Sequence, residues 1–304
     1  MSRPALSVSL DAVIVRMSGD DPQILTVQTP DGPAIPSGPL DPDRDPTLER
    51  ALRRWITDQS GVEIGYAEQL YTFGDLDRGS GRTDGDPRWL SVAYLALVRD
   101  AVATSGATWL DLYDLLPWED RRRGVPSSMD RVLPFLHEWA GDDEGRTERV
   151  SVLFADVPAW DGIRVLERYE LLYEAGAVAE AVRDRSISGG DDVLAASGAQ
   201  MVGDHRRIAA TALGRLRGKL TYRPVVFELL PDTFTLTVLQ RTVEALAGVD
   251  LHTQNFRRLV ERTRLVEGTG ERTTATGGRP AELFRFRPEV WRERPRPGVG
   301  VPYR

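Results

Sequence analysis

The sequence predicts an α/β chain of the α+β kind: a mixed sheet sandwiched by helices, with a C-terminal winged helix-turn-helix domain. Three features of the chain point to it. Residues 6–28 alternate apolar and polar around Gly19-Asp20-Asp21-Pro22, the pattern of a strand hairpin. Leu48, Ala51, Leu52, Trp55 and Ile56 then recur at helical spacing, as one buried face of a helix requires. From Thr235 to Phe286 the order is helix, short link, helix, basic glycine-rich loop and return strand.

Taken in order, the hairpin is followed by a Gly/Pro-rich loop, Thr29 to Pro46, and by a helix that ends at Gly61. Glu68 to Phe73 and Trp89 to Val98 read as strands on either side of a polar loop, and Trp109 to Pro117 closes the sheet. Residues 1–200 are therefore one sheet domain, with an insertion at about 118–198 packed on it. Within the insertion, Arg121 to Gly124 reads as a basic turn, Val150 to Phe154 as a strand, and Asp161 to Asp184 as one helix before a Gly/Ser break. Residues 201–223 form a linker helix on which His205 packs against the sheet, 224–290 the winged helix, and 291–304 a proline-rich, mobile basic tail.

The C-terminal module is the richest in signals. Thr237 and Gln240 have capping-box spacing, which predicts a helix from about Val238. Val238, Leu239, Val243 and Leu246 share its inner face, and Gly248 suits a left-handed exit. A second helix spans about Thr253 to Arg264, with Phe256, Leu259 and Val260 inward. Gln254, Arg258 and Glu261 point outward, flanked by Asn255, Arg257 and Arg262. Such a face can enter a major groove, where Arg pairs with guanine and Asn or Gln with adenine. Gly268, Gly270, Gly277 and Gly278 permit a tight hairpin tip, from which Arg272, Thr273 and Arg279 can donate to phosphates. The expected contact set is Thr235, Thr237, His252, Thr253, Gln254, Asn255, Arg257, Arg258, Arg272, Thr273 and Arg279. Alternative local roles stay open: capping for Thr235, Thr237 and His252, and the wing's own carbonyls for Arg279.

Charge supports this division. Residues 205–304 hold 19 basic and 10 acidic side chains, against 20 and 36 in residues 1–204. One basic end on an acidic chain is an electrostatic footprint for nucleic acid. There is no cysteine, which excludes disulfides and thiolate metal sites. The three histidines, His137, His205 and His252, are far apart in sequence. No window is apolar enough to span a bilayer. The expectation is a cytoplasmic protein with no metal or required cofactor and no membrane partner.

Pro36-Ser37-Gly38-Pro39-Leu40 followed by Ala51-Leu52-Arg53-Arg54-Trp55-Ile56-Thr57-Asp58-Gln59-Ser60-Gly61 resembles a Nudix domain with an altered Nudix box. That box places glutamates on one helix around magnesium. Arg54 matches it, whereas Trp55, Asp58 and Gln59 stand where glutamates are expected. One carboxylate cannot gather magnesium, and an amide cannot act as a base, so the resemblance implies a domain that binds without cutting. Asp204-His205-Arg206-Arg207-Ile208, Arg215-Leu216-Arg217-Gly218-Lys219-Leu220, Phe227-Glu228-Leu229-Leu230-Pro231, Asn255-Phe256-Arg257-Arg258 and Gly278-Arg279-Pro280-Ala281-Glu282-Leu283-Phe284 resemble NrtR-type regulators. The resemblance covers residues 5–116 and 200–287. It implies a homodimeric repressor of NAD-metabolism or sugar-use genes on a near-palindromic double-stranded operator, released by a small effector such as ADP-ribose. Arg54, Asp58, Gln59 and Trp89 are the effector-site candidates. The opposed reading is a magnesium-dependent hydrolase of ADP-sugars using Asp58 with Asp75 or Asp77.

Overall fold

The computed structural model describes residues 6–75, 88–104, 106–154, 160–185, 187, 189–274, 280–293 and 298–299. The predicted hairpin is present: β1 (Leu6–Ser18) pairs antiparallel with β2 (Asp21–Thr29), Val15 opposite Ile24. The segment expected as a loop after it contains two short strands, β3 (Gly32–Ala34) on β2 and β4 (Ser37–Pro39) on β1. Three-residue strands carry no alternation long enough to read. Helix α1 (Leu48–Ser60) follows, capped by the Thr47 hydroxyl and ended by Gly61.

Next come β5 (Tyr66–Phe73), β6 (Arg88–Leu97) and β7 (Ala107–Asp111). The strand order is β3-β2-β1-β6-β5, with β4 added on β1 and β7 on β2. Since β1 and β6 run parallel, their alternate residues face two different layers. Leu10, Ala12, Ile14, Val92, Tyr94 and Ala96 bury against Ala51, Leu52 and Ile56 of α1. Val13, Val15, Ala93 and Leu95 join the larger core on the opposite face.

That core is roofed by helices: α2 (Leu112–Leu115), α3 (Met129–Ala140), α4 (Glu144–Leu153), α5 (Val165–Ala175), α6 (Ala179–Arg185), α7 (Asp191–Ala196) and α8 (His205–Leu220). Two expectations for the inserted stretch are corrected here. Val150 to Leu153 is the last turn of α4, with Val150 and Leu153, three residues apart, buried on one helical face and Val152 exposed. The single helix over 161–184 is two, because Gly176 takes a left-handed φ of 80° and ends α5. The basic turn read at Arg121 to Gly124 is present, the Gly124 N–H donating to the Arg121 carbonyl at 3.1 Å, and Arg121 itself is buried, with its guanidinium 3.8 Å from the Trp160 ring.

The C-terminal module consists of α9 (Leu236–Ala247), α10 (Thr253–Thr263) and a two-stranded wing, β8 (Val266–Thr273) and β9 (Ala281–Phe286). Phe234 bridges to Phe284 as a third element of the wing. A short helix, α11 (Val290–Glu293), opens the tail. Residues 294–297 and 300–304 lie outside the described residues, but Val299 between them is buried and Gly298 lies against Thr221. The described part of the tail is therefore packed, contrary to the expectation of a mobile arm.

Candidate nucleic-acid interface and its sensor domain

Helix α9 begins two residues earlier than its capping-box spacing predicts. The Thr235 hydroxyl accepts from the Val238 N–H at 3.2 Å, and Thr237 is exposed within the first turn. Val238 is 39% exposed and so leaves the predicted inner face. Gln240 holds the turn between the helices instead of a cap. Its Nε2 donates to the Leu251 carbonyl (2.9 Å) and to Thr253 Oγ1 (3.3 Å), while Glu244 Oε1 accepts from the Leu251 N–H (2.9 Å).

Helix α10 buries Phe256 and Val260 completely or nearly so, worth about 1.5–3 kcal/mol each. Its other face is open: Thr253, Gln254, Asn255, Arg257, Arg258, Glu261 and Arg262 are all exposed. Among the described residues no ion pair engages Arg257 or Arg258. His252 occupies the N-cap but its side chain makes no capping bond, which removes one of its two expected roles. Arg264 ends the helix in a left-handed conformation, φ 47°. In the wing, Arg272 is exposed opposite Glu282, and Thr273 is half-buried opposite Ala281. Arg279, with Gly277 and Gly278, lies outside the described residues. The structure thus brings the α10 residues and the described wing residues into one module, with Thr235 committed to capping.

Of the effector candidates, Arg54, Asp58 and Gln59 stand on α1, and Trp89 is set apart from them on β6. Arg54 is clamped to Asp45 by Nε (3.1 Å) and Nη2 (2.8 Å), and that hydrogen bonding first of all holds the Asp45 carboxyl below the usual range. Asp58 is 3.9 Å from the same guanidinium and more than half exposed. Gln59 accepts from the Ser37 N–H (3.0 Å) and donates to the Ser37 carbonyl (2.8 Å), stitching α1 to β4. Trp55 donates to the Pro39 carbonyl at 2.9 Å, and its ring fills the space a Cβ on Gly38 would need. Trp89 stands on β6 in phase with Ala93 and Leu95, on the sheet face away from α1. Sequence spacing cannot reveal this, because the faces are assigned only once the strand register is known.

A cluster that the sequence did not single out lies on the Trp89 face. Asp11 is buried on β1 and hydrogen-bonded by Ser9 (2.9 Å) and Ser91. Burial pushes its carboxyl up to about 7, with the Asp204 charge adding to the effect. His205 Nε2 is 4.0 Å from Asp11, and its Nδ1 accepts from the Ile35 N–H at 3.2 Å. Burial and then the Arg183 charge bring His205 down to about 4. His205 thus packs on the sheet as expected.

These features define a class: a Nudix-like mixed sheet between helical layers, joined to a winged helix-turn-helix module with an open polar recognition face. Residues 226–286 match the NrtR DNA-binding winged helix domain. The chain is 39% identical over 83 residues to an ADPR responsive transcriptional repressor, NtrR, of Acinetobacter baylyi, covering 27% of this chain and 33% of that protein. It thus matches about a third of that relative's length. In structure it is similar to Shewanella oneidensis NrtR complexed with a 27mer DNA, with a TM-score of 0.55, 23% identity and 93% and 94% of the two chains covered. It is also similar to a MutT/nudix family protein from Enterococcus faecalis, with a TM-score of 0.52, 17% identity and 94% and 88% covered. The fold, a Nudix-like domain followed by a segment that matches the NrtR winged helix, is thus similar to that of Shewanella oneidensis NrtR.

Proposed function

We propose that this chain is a transcriptional repressor of the NrtR type. It binds double-stranded DNA through α10 and the β8–β9 wing, as a homodimer on a near-palindromic site. ADP-ribose or a related nucleotide bound to the Nudix-like domain releases it. The observation that carries this is the exposed face of α10, where Gln254, Asn255, Arg257 and Arg258 stand uncovered on a segment matching a DNA-binding family. The Acinetobacter relative, an ADPR responsive repressor, supports the choice of effector.

The Nudix-like domain is proposed to bind without hydrolysing. Magnesium in a Nudix box polarises a diphosphate only when several carboxylates gather around it. Here α1 presents Asp58, already beside Arg54, while Gln59 is occupied by β4. Among the described residues no group of three or more His, Cys, Asp or Glu side chains is placed to hold a metal. The donor set does not fit the ion; Asp77 of the opposed carboxylate set lies outside the described residues, and Asp75 pairs with Arg207. For the effector, the Trp89 face is favoured over the α1 face. Trp89 leaves 45% of its surface exposed there for a base to stack on, and the half-buried hydroxyls of Ser9 and Ser91, held by the buried Asp11, offer acceptor oxygens to a ribose.

Gel retardation of duplex carrying the chain's own upstream sequence tests the proposal. Retardation that 1 mM-scale ADP-ribose abolishes, with ADP-ribose recovered intact after incubation with magnesium, is the expected outcome. Absence of retardation at low salt, or cleavage of ADP-ribose to AMP, counts against it.

A further inference from the structure

The last four carbonyls of a helix have no partner inside it; in α9 (Leu236–Ala247) the Glu244 carbonyl accepts from the Gly248 N–H, and the next two, Ala245 and Leu246, are met by the rest of the body. Tyr113 on α2 donates its hydroxyl to the Ala245 carbonyl at 2.5 Å. Arg217 on α8 donates Nε to the Leu246 carbonyl at 3.0 Å. The Arg121 N–H donates to the Gly248 carbonyl just beyond the helix at 2.8 Å. Each donor comes from a different part of the body, and Tyr113 and Arg217 are themselves buried.

Arg217 is fixed in turn. Its Nη1 reaches Glu119 Oε2 (2.5 Å) and the Gly162 carbonyl (2.9 Å), and its Nη2 the Glu119 carbonyl (2.9 Å). Along its length α9 is also met by Asp20 at the β1–β2 turn, 3.5 Å from Arg241. From α9 the chain of contacts continues through Gln240 and Glu244 to the start of α10. A guanidinium at a helix C-terminus is also favoured by the helix dipole. Helix α10 is about 16 Å long at 1.5 Å per residue, so tilting it by ten degrees moves its far end by roughly 3 Å, a full hydrogen-bond length.

We propose that Tyr113 and Arg217 are positioning residues for DNA recognition. They set the direction of α9, and through it of α10, against the Nudix-like domain, so the body and not the winged helix alone determines how the recognition face is presented. This rests on the proposed DNA-binding function. It adds that half-site spacing is fixed by side chains more than a hundred residues from α10 in sequence for Tyr113, and on the linker helix for Arg217.

The full chain would first select its duplex from a random-sequence pool. Selection of no duplex defeats the DNA-binding function, and this proposal with it. With a duplex in hand, Tyr113→Phe and Arg217→Met are compared with the parent on the intact two-fold site, on one half-site, and on sites with the halves moved apart by one or two base pairs. Tyr113→Phe keeps the ring and loses one donor, so it serves even where Arg217→Met does not fold. Half-site affinity should stay within twofold, since α10 is untouched. Affinity for the intact site should fall about tenfold, and the penalty for wrong spacing should shrink. Parent-like affinity and spacing penalty in Tyr113→Phe would overturn the proposal. So would equal losses on half-site and intact site, which mark a module that is merely destabilised.

Discussion

Glu119 is a side chain whose loss the structure makes costly. It is fully buried, and both carboxylate oxygens are taken: Oε1 by Arg168 Nε at 2.6 Å, Oε2 by Arg168 Nη2 at 2.9 Å and Arg217 Nη1 at 2.5 Å. Arg168 and Arg217 are 0% and 1% exposed, so Glu119→Gln would leave two guanidinium groups in the interior without a countercharge. Breaking a buried pair in this way costs about 3–5 kcal/mol, a large part of the roughly 5–15 kcal/mol that holds a domain together. Urea unfolding at pH 7, followed by tryptophan fluorescence, should show that loss as a lower midpoint at unchanged slope. Acid gives a second reading. Burial pushes the Glu119 carboxyl up, but Arg168 and Arg217 together outweigh it and hold it below the ordinary glutamate value of 4.5. Its contribution is therefore complete above pH 4.5 and lost as the pH falls through the lowered value. The gap between parent and Glu119→Gln should close on that side. A gap under 1 kcal/mol at pH 7, or one that stays constant down to pH 3, would refute the reasoning.

Three further outcomes are expected. Gly248→Ala should lose about 2 kcal/mol or more, read as a lower Tm, because φ is 71° and the new Cβ would lie 2.4 Å from the Glu119 carbonyl oxygen and from Arg217 Nη2; an unchanged Tm contradicts this. Arg257→Ala and Arg258→Ala should each leave stability within about 0.5 kcal/mol, since both are exposed, while a phosphate-contacting arginine lowers the salt dependence of DNA binding by about one counterion; salt titrations of the selected duplex decide it. Asp11→Asn should make the fold acid-sensitive. His205, lowered to about 4 from 6.5, contributes stability above pH 6.5 that is lost towards pH 4. Asp11, raised to about 7 from 3.8, contributes stability at low pH that is lost as the pH rises through 7. The two slopes oppose between pH 4 and 6.5, so removing Asp11 should expose a loss of up to about 1.4 kcal/mol per pH unit; parallel pH profiles would show the pair does not trade in this way.

What was legible in the sequence follows from the range of the interactions. The β1–β2 hairpin, α1 and the winged helix were readable because turn, cap and period lie within a few residues of one another. Val150 to Phe154 misled because a short apolar run fits either a strand or a helix end, and only the burial of Val150 and Leu153 decides. Trp89 and Arg54 were grouped by chemistry, yet register places them on opposite faces of the sheet. Glu119 was invisible because its partners lie 49 and 98 residues away. Arg217 stood within a stretch resembling regulators of the NrtR type, but nothing local says that its guanidinium is buried.

The chemistry of the joint limits how an effector can act on the proposed function. Apolar surfaces tolerate sliding, because the hydrophobic effect has no direction. The contact between α9 and the body adds to its apolar packing two directional bonds, from Tyr113 to the Ala245 carbonyl and from Arg217 to the Leu246 carbonyl, with Arg217 held in turn by Glu119. Coupling between a ligand and a distant site is typically about 1–3 kcal/mol, whereas moving α9 off the body gives up the bonds to the Ala245, Leu246 and Gly248 carbonyls, each costing about 1–3 kcal/mol when a buried partner is left unsatisfied. A bound nucleotide therefore has too little differential affinity to break the joint. It must leave α9 fixed to its own body and move that body as a unit, so release from DNA is expected to come from a changed arrangement of two bodies and not from a hinge within one chain.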